Sequence, residues 1–119
     1  MSNVNWTKLE SIRQLDEIKK ISKEKPVAIF KHSISCPISA MALNRLEKSW
    51  EPGDHKDSEI YYLDLIRNRA VSNAVADVFG VVHQSPQVII IRNEKAVYDE
   101  SHMGISYESV TSNLKNQIA

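Results

Sequence analysis

The chain has 119 residues, 42% of them hydrophobic and 25% charged, which suits one globular domain around one core and excludes a disordered segment. Fifteen Lys and Arg balance fifteen Asp and Glu, and no basic run stands out, so neither nucleic acid nor a membrane surface is an expected partner. No stretch approaches the roughly 20 apolar residues of a membrane span, and Met1 to Trp6 lacks the regions of a signal peptide, so a cytoplasmic location is expected.

Val4 to Leu9, with Trp6 as its anchor, is expected to be a short strand. Ser11 is placed as a helix N-cap, with Gln14 three residues on to complete a capping box. Ile12, Leu15, Ile18 and Ile21 then supply one apolar face. Lys19, Lys20, Lys23 and Lys25 suit the negative end of the helix dipole, and Pro26 stops the helix. Val27-Ala28-Ile29-Phe30 is a continuous apolar run, the pattern of a strand covered on both faces.

Helical spacing resumes after Cys36, with Leu43, Leu46 and Trp50 on one face. Glu51-Pro52-Gly53-Asp54 ends it by turn chemistry, and a loop follows to Ser58. Ile60 to Leu65 is the next strand. Asn68 is placed as the cap of a third helix through Val71, Ala74, Val75 and Val78, closed by Gly80. Gln87 to Arg92 and Lys95 to Asp99 form a hairpin around Asn93-Glu94. Gly104 breaks the chain, and Val110, Leu114 and Ile118 mark a last helix. Strands alternating with helices, then a hairpin and a helix, predict an α/β fold: a three-layer sandwich with a central mixed sheet, as one domain over residues 1–119.

The chain holds one cysteine, so the fold does not rest on an internal disulfide. The four histidines, His32, His55, His83 and His102, show no ligand spacing, and no metal is expected. Cys36 stands at a strand-to-helix junction, flanked by Ser33, Ser35 and Ser39. A lone cysteine is more often inert packing, but this setting favours a reactive one. With Cys36 as N-cap, Pro37 takes the first helical position, where its missing N–H costs nothing. The backbone N–H groups of Ile38 and Ser39 then point toward the sulfur, and the helix dipole adds its positive end. The Ser39 hydroxyl is expected to donate one more hydrogen bond. Pro37, Ile38 and Ser39 are thus the expected thiolate-stabilising residues. Pro86, opening the apolar strand, is the second informative position, with a trans or a cis bond left open.

The element order, the quartet Cys36-Pro37-Ile38-Ser39 and Ser85-Pro86 before an apolar strand resemble the thioredoxin superfamily over nearly the whole chain. The stretch Ser35 to Ala40 resembles more closely the monothiol bacilliredoxins of the bacillithiol system. Ser39 stands where thioredoxins carry a resolving cysteine, and Phe30 where they often carry a buried acid. Both parts of the two-cysteine machinery are missing together. The resemblance implies a cis Ser85–Pro86 bond and a monothiol thiol–disulfide oxidoreductase with Cys36 as catalytic residue. Ser35, Ser85 and Pro86 would meet substrate, with backbone pairing at Ser85.

The implied co-substrate is bacillithiol, which resolves the mixed disulfide left on Cys36, and the implied partners are bacillithiolated client proteins. The chain would act as a monomer or weak dimer. The bacillithiol carboxylates call for a cation or a helix N-terminus. Ser106 and Tyr107 offer such a terminus; Lys31, Arg67 and Arg69 are read as solvated surface charges, and His83 and Gln84 likewise as surface residues. The alternative is a binding protein without turnover, such as a glutaredoxin-like iron–sulfur cluster carrier or a non-catalytic adaptor.

Overall fold

A computed structural model of the chain describes residues 6–33, 36–50 and 58–115. Five strands and four helices follow one another as β1 (Thr7–Lys8), α1 (Gln14–Ser22), β2 (Val27–His32), α2 (Pro37–Ser49), β3 (Glu59–Asp64), α3 (Arg69–Phe79), β4 (Gln87–Arg92), β5 (Lys95–Ser101) and α4 (Tyr107–Lys115), with a 3-10 turn at His102–Gly104. The sheet order is β1-β3-β2-β4-β5. β1, β3 and β2 run parallel, while β4 runs antiparallel to both β2 and β5. This is the expected α/β sandwich with a mixed sheet.

β2 lies at the centre of the sheet, and all six of its residues are buried. Successive side chains of a strand point to opposite faces, so one apolar run serves two cores. Val27 and Ile29 join Leu15 and Ile18 of α1 and Val71, Val75 and Phe79 of α3. Ala28 and Phe30 join Ala42, Leu46 and Trp50 near α2 and Val110 and Leu114 of α4. Burying each large apolar side chain stabilises by about 1.5–3 kcal/mol, so both helical layers are held chiefly through this strand and its neighbours.

Several local expectations are corrected. The first strand is confined to Thr7–Lys8; Val4 and Asn5 lie outside the described residues. α1 begins at Gln14 with Arg13, not Ser11, at its N-cap. The Gln14 Oε1 accepts from the backbone N–H groups of Glu10 and Ser11 at 2.7 and 3.0 Å, so the side chain reaches back as in a capping box. Asn68 occupies the N-cap of α3, yet its side chain makes no cap bond; its amide donates to the Asp64 carbonyl at 3.3 Å. Val78 is 41% exposed and Phe79 takes its place in the core. The Glu51 to Asp54 turn and Ile118 lie outside the described residues.

Left-handed backbone occurs at Gly80, in the Asn93-Glu94 turn and at His102, whose φ is 54. Gly80 ends α3 at φ 66, where a Cβ is disfavoured. Asn93 and Glu94 have φ 51 and 67, the pattern of a tight hairpin turn whose twist matches the strands. Ser22 at the end of α1 secures it: its carbonyl accepts from Asn93 N at 2.7 Å and its hydroxyl from Glu94 N at 2.9 Å. The closing hairpin is thereby tied to the opposite helical layer.

Candidate active site

α2 begins where β2 ends, and Cys36 is its N-cap, in extended backbone at φ −104 and ψ 117. The extended cap and the proline at the first helical position start the helix cleanly. The Cys36 N–H donates to the Ser33 carbonyl at 3.1 Å, and the Cys36 carbonyl accepts the first helical bond, from Ala40 at 3.0 Å. Cys36 is partly exposed, and Pro37 and Ile38 are exposed beside it. The terminus has no acidic residue in its first turn, so nothing there offsets the positive end of the dipole.

The Ser39 hydroxyl departs from expectation. Ser39 is fully buried. Its Oγ accepts from the Ser33 backbone N–H at 3.0 Å and lies 2.7 Å from His32 Nδ1. Both of these contacts lie within the protein and not at the sulfur. His32 is buried, its ring 6.0 Å from that of Phe30 and 5.5 Å from that of Tyr62. Burial holds His32 below its ordinary range, opposed by the Asp64 carboxylate, the hydrogen bonding at Ser39 and the Glu47 carboxylate.

The second part of the site is the start of β4. The Ser85–Pro86 peptide bond is cis. β4 pairs antiparallel with β2, Gln87 opposite Lys31, so Pro86 and Cys36 stand at the same end of two adjacent central strands. Gln87 is buried and shapes the approach: its amide donates to the Val82 carbonyl at 3.1 Å and its Oε1 accepts from Gln84 N at 3.4 Å. The Pro86 carbonyl accepts from His102 N at 3.0 Å. The Ser85 Oγ is buried with no hydrogen-bond partner among the described residues. Ser35, the other expected substrate contact, lies outside the described residues.

Lys31 is not the surface charge its sequence context suggested. It is fully buried, its ammonium donating to the Ser72 carbonyl at 3.2 Å and lying 3.3 Å from His83 Nδ1. Burial pulls its pKa down to about 8. His83 is exposed on the loop before Ser85, and burial of its ring, then the Lys31 and Arg69 charges, hold it low. Between pH 8 and the ordinary Lys value near 10.5 the unfolded chain binds a proton that the folded chain has lost. The folded state is therefore penalised below pH 8, and the penalty fades as pH rises through that window. Urea melts should show the stability of the wild-type protein rising between pH 8 and 10 relative to Lys31→Met, and parallel curves would refute a charged, desolvated Lys31.

Arg67 and Arg69 are exposed. The α4 terminus is already capped, since the Ser106 Oγ accepts from Ser109 N at 3.1 Å. Sequence reasoning missed His32, Lys31 and Gln87. The apolar run placed the strand at Val27 to Phe30, yet β2 continues through Lys31 and His32, and both are buried. Among the described residues no group of three or more His, Cys, Asp or Glu is placed to hold a metal ion, and no helix is long and apolar enough to cross a membrane.

A cysteine capping a helix beside a cis-proline loop, on a five-stranded mixed sheet, defines a thioredoxin fold. Solved structures agree. Thioredoxins of Malassezia sympodialis and Trypanosoma brucei brucei superpose with TM-scores of 0.73 and 0.70 at 13% and 16% identity, covering 96% and 93% of this chain and 91% and 88% of theirs. A thioredoxin-fold protein described as a candidate oxidoreductase is 33% identical over 88% of this chain and 89% of its own, with a TM-score of 0.73. Residues 7–110 match the family model of the monothiol bacilliredoxin BrxC, and the chain belongs to that family.

Proposed function

We propose that this protein removes bacillithiol from protein mixed disulfides, with Cys36 as its one working thiol. The observation that carries the reading is the placement of Cys36: partly exposed, at the N-terminus of α2, beside the cis Ser85–Pro86 bond, in a chain with no second cysteine. The family's bacillithiol-related thiol chemistry supplies the co-substrate.

The Cys36 thiolate attacks the bacillithiol sulfur of the mixed disulfide. The client sulfur leaves with the bond's electron pair and takes up a proton. Cys36 is then bonded to bacillithiol. The thiolate of a second bacillithiol attacks the bacillithiol sulfur of that bond, releases the Cys36 thiolate and departs as bacillithiol disulfide. The second bacillithiol is the reductant, and the chain is unchanged after a cycle. Exchange depends on both the thiolate population and the intrinsic nucleophilicity of the attacking thiol, and the N-terminal end of a helix favours an anion. An extended client segment pairs with the backbone at Ser85, which precedes the strand β4, and seats its disulfide against Pro86.

Mass spectrometry of the protein after exposure to a bacillithiolated client tests the reading. A single bacillithiol adduct located at Cys36, with the client thiol freed, is the expected result. An unmodified Cys36 after complete mixing would rule it out.

A further inference from the structure

We propose that Lys31 is a positioning residue for the client: with Gln87 it fastens the 82–84 loop that leads into Ser85 and cis-Pro86, and so sets how tightly a client segment is held. The inference rests on the reading that a client pairs with the backbone at Ser85, and it names what keeps that backbone in place. Lys31 and Gln87 stand directly opposite one another on the antiparallel strands β2 and β4, so their side chains leave the same face of the sheet. Both are buried, and together they reach three consecutive loop residues. Gln87 takes the outer two, its amide donating to the Val82 carbonyl at 3.1 Å and its Oε1 accepting from the Gln84 N–H at 3.4 Å. Lys31 takes the residue between them, its ammonium 3.3 Å from His83 Nδ1.

These bonds carry weight because apolar burial does little for the loop. On one side Val81 is buried, its N–H bonded to the Ala76 carbonyl at 3.2 Å. On the other side Pro86 is buried just before β4. Between these anchors Val82 is 79% exposed, and His83 and Gln84 are exposed as well. A segment with so little buried apolar surface belongs to the low-stability end of a fold, and its polar contacts decide how often it opens.

The ammonium also selects the form of the His83 ring. With a pKa of about 8, Lys31 is mostly an ammonium at neutral pH. An ammonium only donates, so His83 Nδ1 must accept and carries no proton. The Ser72 hydroxyl, 3.4 Å from the same nitrogen, can donate to it too. The proton of the neutral ring is therefore on Nε2. Burial of the ring, then the charges of Lys31 and Arg69, favour that neutral ring over the imidazolium. The second bond of Lys31, to the Ser72 carbonyl at 3.2 Å, ties the arrangement to α3. One buried side chain thus fastens the loop both to the central strand and to a helix.

Client kinetics and NMR test the proposal on Lys31→Met, which removes the charge from a side chain of similar length, on His83→Ala and on the double variant. His83 is exposed, so His83→Ala gives the same test should Lys31→Met fail to fold. With a bacillithiolated peptide as client, each single variant should raise KM about tenfold, the lower end of what a hydrogen bond to a charged group contributes, with kcat little changed. The double variant should be no worse than either single one, since both remove the same contact. Nitrogen NMR should show the wild-type His83 ring protonated at Nε2 alone at neutral pH and a mixture of both neutral forms in Lys31→Met. The Gln84 amide should exchange with solvent faster in each variant. A wild-type His83 protonated at Nδ1, a Gln84 amide that exchanges at the wild-type rate, an unchanged KM, or losses that add in the double variant would overturn the proposal. The ring form and the Gln84 exchange do not involve bacillithiol. A wild type without debacillithiolation would therefore sink that reading alone, and those two readouts would still decide whether Lys31 fastens the loop.

Discussion

Cys36→Ala should reduce debacillithiolation to the uncatalysed background and leave no bacillithiol adduct on the protein. The chain holds no other thiol, and a hydroxyl at Ser33 or Ser39 is no substitute, because an unactivated alcohol is a poor nucleophile at neutral pH. The loss is chemical and not structural. Cys36 makes no side-chain cap bond, so its replacement should leave stability within about 0.5 kcal/mol of the wild type. Release of bacillithiol from a labelled client, followed beside a thermal melt, separates the two effects. Residual turnover in a folded Cys36→Ala protein would remove Cys36 from the centre of the mechanism.

Phe30→Ala should produce the largest loss of stability of the substitutions considered. Phe30 is 1% exposed, stacks on Trp6 at 5.8 Å between ring centroids, and packs in the core shared by β2, α2 and α4. Truncating a buried Phe costs about 3–5 kcal/mol, a large share of the roughly 5–15 kcal/mol that holds a domain folded. For a chain of this size that corresponds to a fall in melting temperature on the order of 10–25 °C. A drop of only a few degrees by circular dichroism would show that the aromatic cluster is not the keystone of that face. The same residue stands where dithiol thioredoxins often place their acid. Here that position is apolar, and a buried polar group, His32, stands two residues along the strand on the same face.

Much of this was legible in the sequence because its signals are local. The Val27 to Phe30 run, the Gly80 stop and the Asn93-Glu94 turn each act within a few residues, and together they order the sheet. Cys36 and Pro37 announced a helix start by residue type alone. What escaped depends on partners distant in the chain. Lys31 reads as a solvated charge until Ser72 and His83 are brought against it. Gln87 becomes a loop organiser only when Val82 and Gln84 fold back over it. The Ser39 hydroxyl reads as a donor to Cys36 three residues away, and its engagement with His32 follows from β2 continuing past Phe30, which no local signal marked.

The monothiol character bears most directly on function. A dithiol enzyme resolves its own mixed disulfide; a chain with one thiol must stop after one exchange until an outside thiol arrives. Counting client thiols freed per protein molecule tests this directly. With a bacillithiolated client in excess and no free bacillithiol, one client thiol should be freed per protein, with one bacillithiol retained on Cys36, and continuous turnover should begin only when free bacillithiol is added. Many clients reduced per protein without any added thiol, or no stoichiometric first exchange at all, would contradict the account.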